Sequence, residues 1–135
     1  MAEQDHGDPT IAQLVERITR WGESKGWDKP ALCATRGEAL AAGSTQPAGV
    51  DTNAVLAKIA LVHTELSEAV EEARLGKYVE YEKDGKPEGV VVELADAVIR
   101  IFHLAGLLGL DLENAVLNKM QYNETREYRH GGKLA

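Results

Sequence analysis

Two pairs of carboxylates carry the strongest chemical signal in the chain. Glu65 and Glu68 stand three residues apart, and so do Glu93 and Asp96. Three-residue spacing puts both members of a pair on one side of a helix, where like charges repel unless a cation compensates them. Glu93 and Asp96 lie in a run otherwise made of Val, Leu, Ala, Ile and Phe. Ionised carboxylates buried in such surroundings are costly without partners. Glu65, Glu68 and Glu72 fall on the shoulder of an apolar seam formed by Val55, Ile59, Val62, Leu66, Ala69 and Ala73. If the two helices pack antiparallel, four carboxylates converge on one pocket, with Glu72 as a spare. All ligands would be oxygen, which suits Mg²⁺ or Mn²⁺ over Zn²⁺. A single Glu-x-x-Glu pair is ordinarily a solvated face, and Arg100, four residues after Asp96, offers internal neutralisation. Two matched pairs on adjacent helices favour a metal site.

A donor-rich face follows near the C-terminus. Lys119, Asn123 and Arg126 recur at steps of four and three, and Tyr122, Arg126 and Arg129 make an overlapping stripe. Lys and Arg beside a carboxylate–metal pocket would hold the oxygens of a polyphosphate. The tail His130-Gly131-Gly132-Lys133 could wrap onto phosphate through backbone N–H groups. Ordinary pairing of these cations with Glu113, Glu124 or Glu127 is the competing reading. Trp21 and Trp27 are core or interface residues, one of which could stack on a nucleobase. His103, seven residues after Asp96, falls on the same side and could support a ligand; His63 lies near the helix seam. There is no G-x-x-x-x-G-K-[ST] or G-x-G-x-x-G loop, and Cys33 has no motif partner for nucleophilic catalysis.

The elements that must position these residues are helical. Asp8-Pro9-Thr10 starts a helix over 9–22, with Ile11, Leu14, Val15, Ile18 and Trp21 at helical spacing. Residues 23–51 are rich in Gly, Ala, Ser, Thr and Pro, with a short helix within 31–42 and a loop at 43–49. A second helix over 52–75 is capped by Asp51 or Thr52. The charged stretch 76–89 is a connector or small lid. Pro87 and Glu88 open a third helix over 87–108, ended by Gly109 with Leu110 packing back. Asp111 caps a fourth over 112–129, whose last turn holds Arg126, Arg129 and His130. Val90-Val91-Val92 continues into a helical pattern, so no strand is expected.

At 135 residues the chain is read as one domain, 9–133, behind a flexible tail at 1–8. Aromatics are only 5%, so the core must come from Leu, Val, Ile and Ala. The net charge of −7 and pI near 5.1 argue against a nucleic-acid polymer or an anionic membrane as partner. The apolar segment 90–110 carries Glu93, Asp96, Arg100 and His103 and makes a poor membrane span. A single cysteine and the lack of a signal peptide fit the cytoplasm.

The ordered set of motifs resembles the all-α nucleotide pyrophosphohydrolases, and among these the MazG-like proteins. Residues 61–69 match the first motif, 92–96 the second, and 118–126 with 128–133 the C-terminal segment, so that the likeness spans about 52–133. Thr64 departs from it, since an acidic residue often stands there. The resemblance implies an all-α bundle of about four main helices, whose core and pockets are completed in a homodimer or homotetramer. It implies a Mg²⁺-dependent hydrolase that splits a nucleoside triphosphate into monophosphate and pyrophosphate, for cleansing or control of the nucleotide pool. Glu65, Glu68, Glu93 and Asp96 would bind the metal, with Mn²⁺ as substitute, and activate water through it. Lys119, Tyr122, Asn123, Arg126, Arg129 and Lys133 would bind substrate. Phosphoribosyl-ATP hydrolysis, a non-catalytic helical binding module and a carboxylate-bridged di-iron bundle are rivals. The last lacks its Glu-x-x-His pairs.

Overall fold

A computed structural model describes residues 7–27, 45–47 and 49–126. The short helix expected within 31–42, Cys33, Arg129, His130 and Lys133 lie outside the described residues. Four helices and one small sheet make up the described part: α1 (Ile11–Ser24), α2 (Thr52–Arg74), β1 (Tyr81–Lys83), β2 (Lys86–Glu88), α3 (Val90–Leu108) and α4 (Leu112–Glu124). No helix in it is long and apolar enough to cross a membrane.

Local chemistry sets each helix start. Thr10 and Gln13 form a reciprocal capping box, with Gln13 N–H donating to Thr10 Oγ1 at 3.1 Å and Thr10 N–H to Gln13 Oε1 at 2.8 Å. The helix therefore begins two residues later than the Pro9 start expected from sequence. Asp51 accepts from Asn53 N–H at 3.0 Å and Ala54 N–H at 3.3 Å to open α2. Asp111 accepts from Asn114 N–H at 3.1 Å to open α4. Gly109, at φ 64°, ends α3, and Leu110 N–H returns to Ala105 O at 2.9 Å.

The connector between α2 and α3 corrects the expectation of no strand. Tyr81 pairs with Glu88, Glu82 with Pro87 and Lys83 with Lys86 in an antiparallel hairpin. Asp84 and Gly85 form its tip with φ of 53° and 76°, the two positive values that a tight hairpin turn requires. Pro87 is thus a strand residue, and α3 starts at Val90 instead of 87. Gly89, at φ 121°, makes the corner; a Cβ there would meet Val79 O at 2.5 Å. At the other end, α4 stops at Glu124, so Arg126 lies beyond the helix and its last turn holds no basic residue.

The central unit is the antiparallel pair α2 and α3. Glu68 meets Glu93 near one end, and Glu65 meets Arg100 further along. Their buried line is made of small and charged residues: Glu65 and Ala69 on α2, Glu93 and Ala97 on α3. Only part of the apolar seam of α2 turns inward: Ala69 is buried and Val55, Val62 and Ala73 are half-buried, while Ile59 and Leu66 are exposed. Nor is α3 buried all round, since Val91, Leu94, Val98 and Ile101 face outward. Helix α1 crosses the C-terminal half of α3, and α4 packs on α1.

The α1–α3 crossing depends on two glycines. A Cβ on Gly22 would come 2.5 Å from His103 Nε2, and one on Gly106 would collide with Thr19 Oγ1. Alanine at position 106 should gain about 1 kcal/mol of helix propensity and lose more to overpacking. Gly106→Ala is expected to lower the urea midpoint, corresponding to a net loss of about 1–2 kcal/mol in unfolding free energy, with partial recovery in Gly106→Ala/Thr19→Ala. Gly7→Ala, which meets nothing within 4 Å, should leave the midpoint unchanged.

Candidate metal centre

The candidate site lies between the helices that the hairpin joins. Glu65, Glu93 and Asp96 each offer a carboxylate oxygen, and these atoms all lie within 4.8 Å of one another. Glu65 is 7% exposed and Glu93 4%. Glu68 completes the group from the more exposed side by sharing a hydrogen bond with Glu93. The structure therefore brings together all four carboxylates singled out by their spacing.

Burial and repulsion shape their ionisation. Glu93 is pushed up to about 7, first by burial, then by the hydrogen bond to Glu68 and the charges of Glu68, Asp96 and Glu65. Asp96 is raised as well, by burial and by Glu65, against the opposing fields of Arg100 and Lys86. Arg100 does not bond Asp96, the partner its spacing suggested. Its Nε donates to Glu65 Oε1 at 2.6 Å, across the helix pair. One guanidinium cannot balance four carboxylates, so the group calls for a proton or a further cation.

The donor set fits a hard cation. It is entirely oxygen, partly buried, and compact enough for one ion to be shared among three carboxylates. Glu72 is not among them. Its Oε2 accepts from the Tyr81 hydroxyl at 2.8 Å, which fastens the hairpin to α2. That bond, with burial and the charges of Glu72, Glu88 and Glu93, pushes the Tyr81 phenol up to about 12.

Aromatic and basic groups adjoin the cluster at its Arg100 end. Trp27, Lys58, Arg100 and His103 line a cavity of about 380 Å³. Lys58 Nζ donates to Trp27 O at 2.7 Å, and the Trp27 ring meets His103 edge-on with centroids 5.9 Å apart. Trp21 supports Trp27 from behind at 4.6 Å. His63 is exposed, whereas His103 is buried at the α1–α3 crossing. A larger groove, about 570 Å³ between α1, the end of α3 and the start of α4, contains none of the clustered carboxylates.

Helix four carries the described part of the expected donor face. Lys119 and Arg126 do gather around Tyr122, with the Lys119 ammonium 4.7 Å and the Arg126 guanidinium 6.0 Å from its ring centroid. These residues and Asn123 are exposed, on a helix that packs against α1 and buries no residue. Among the described residues, no hydrogen bond or ion pair joins them to the carboxylates. Lys58, Tyr81 and Lys86 also stand near the carboxylates, outside the motifs that the spacing picks out. Lys58 stands seven residues before Glu65, hence on its face of α2, and Asp84-Gly85 is a hairpin signal.

No family model, no curated protein and no solved structure matches the chain.

The raised Glu93 has a consequence for stability. An acid whose folded pKa lies above its ordinary 4.5 is held protonated by the fold. Its contribution is complete below the ordinary value and is lost as pH rises through about 7. In EDTA the melting temperature should fall between about pH 5 and about pH 8, and Glu93→Gln should flatten that fall. Thermal denaturation across this range checks it; an equal slope in the variant would remove Glu93 as the cause.

Proposed function

We propose that the chain is a Mg²⁺-dependent nucleoside triphosphate pyrophosphohydrolase, cleaving between the α and β phosphates to release monophosphate and pyrophosphate. The observation that carries this reading is the convergence of Glu65, Glu68, Glu93 and Asp96 between two helices, beside a cavity lined by cations and aromatics. These four carboxylates would hold the ion, with Mn²⁺ as substitute. A bound Mg²⁺ supplies charge against the phosphate oxygens and lowers the pKa of water. Lys58 and Arg100 take over in this reading the phosphate-holding role first expected of α4, being the cations beside the cluster. Trp27 offers its ring to a base, with His103 packed edge-on against it. Arg100 orients Glu65, and the hairpin keeps Glu72 engaged away from the ion. Nucleotide-pool cleansing or control, in the cytoplasm, is the role we assign to this reaction.

Product analysis tests the reaction. A panel of dNTPs, NTPs, dUTP and damaged nucleotides should give monophosphate and pyrophosphate with Mg²⁺ and none with EDTA. Glu93→Gln and Asp96→Asn should each lose on the order of a hundredfold or more in turnover. Full activity in either variant would refute the metal assignment. Silence in calorimetric titration with Mn²⁺, with and without nucleotide, would favour a non-catalytic binding module.

The same reading includes a second copy of the chain. Leu56, Ile59, Leu66 and Val70 on α2 and Val91, Leu94, Val98 and Ile101 on α3 are each between 41% and 58% exposed. They recur at steps of three, four and seven. On each helix the stripe lies about a quarter to a third of a turn from the line facing the other helix, on one side of an antiparallel pair. Helix α1 covers the opposite side of α3. The eight side chains expose on the order of 700 Å², close to the 800 Å² per partner of a standard interface. A two-fold pairing of these faces would enclose an apolar core that one chain lacks, because Leu107 is the only large apolar residue buried among the described residues. Light scattering after gel filtration should give twice the chain mass, and Leu94→Glu/Val98→Glu should give one. A monomeric wild type would rule this interface out.

A further inference from the structure

The order of groups along α3 implies a direction for the ligand. His103 and Arg100 face the aromatic cavity, Asp96 and Glu93 follow toward the N-terminus, and the hairpin stands at that end. From His103 to Glu93 the helix rises about 15 Å, close to the length of an extended nucleoside triphosphate. An anion laid along this line meets cations at the cavity end, Lys58 and Arg100, and then four carboxylates. Its far end needs a cation as well.

The hairpin supplies one. Lys86 follows the Asp84-Gly85 turn, and its ammonium lies 3.7 Å from Glu88 Oε1. Glu88 is two residues before α3 and its side chain is only 19% exposed. The support of Lys86 is rigid. Tyr81 is bonded to Glu72, Val90 N–H donates to Lys77 O at 2.9 Å, and Val91 N–H to Tyr78 O at 3.1 Å. The Lys86 side chain itself is 73% exposed, so its long arm keeps the freedom to turn from Glu88 to an arriving anion.

We propose that Lys86 holds the terminal phosphates of the substrate, so that the nucleotide lies along α3 with its base at Trp27 and its phosphate tail at the hairpin. This rests on the reading of the carboxylate cluster as a cation site for a triphosphate. A lysine that merely offset the cluster's charge would bind no phosphate, and its loss would strengthen cation binding alone.

The test is equilibrium binding by the full chain, with Mn²⁺ present, of an α,β-methylene nucleoside triphosphate and of the matching monophosphate. Lys86→Ala should weaken the triphosphate analogue about tenfold and leave the monophosphate unchanged, and Lys86→Arg should stay within about threefold of wild type. Binding of Mn²⁺ alone should be unchanged or tighter in Lys86→Ala. Wild-type affinity for the triphosphate analogue in Lys86→Ala would overturn the proposal, and so would equal loss of both ligands. A wild-type protein that binds neither Mn²⁺ nor the analogue would instead overturn the cation-site reading beneath it.

Discussion

Mutual repulsion of carboxylates between α2 and α3 constrains everything around them. Glu65 and Glu93 are taken almost wholly out of water, with Asp96 beside them and Glu68 hydrogen-bonded to Glu93. Such groups cannot all ionise at neutral pH without help. The chain supplies part of that help through Arg100 and leaves Glu93 inclined to keep its proton. The proton on Glu93 meets part of the remaining demand, and the group is left unbalanced in charge.

The helix pair is shaped around that demand. Ala69 and Ala97 let the backbones approach, so that carboxylates rather than large side chains fill the space between them. Large apolar residues are correspondingly displaced to the outer face. A chain that gives its inner helix contact to charge has little interior of its own, and Leu107 is the only large apolar residue buried among the described residues. The α1–α3 crossing follows the same economy of space, with Gly22 beneath His103 and Gly106 beneath Thr19.

The hairpin is the other determinant of the site. It is short, yet it fixes the start of α3, holds Glu72 through Tyr81 and carries Lys86 to the rim. The hairpin lies within the α2–α3 connection, at the end of the helix pair where Glu68 meets Glu93, with the Glu65–Arg100 pair further along.

The sequence by itself determined the helices and the carboxylate pairs, because helical spacing and capping chemistry are local. Thr10, Asp51, Asp111 and Gly109 mark their ends within a residue or two of the expected places. The hairpin was legible too, in Asp84-Gly85, but was masked by Pro87, which reads equally well as a helix start. Other features depended on tertiary structure. The face of α2 that meets α3 is centred on Glu65 and Ala69, with Glu65 paired to Arg100 across the helices, so periodicity placed the contact to within part of a turn and left Ile59 and Leu66 outside it. The placement of α4 on α1, away from the carboxylates, likewise follows from packing between elements far apart in the chain. Spacing states which residues share a side of a helix; only the packed structure decides what that side confronts, because burial, charge and steric fit compete there over distances no local pattern records.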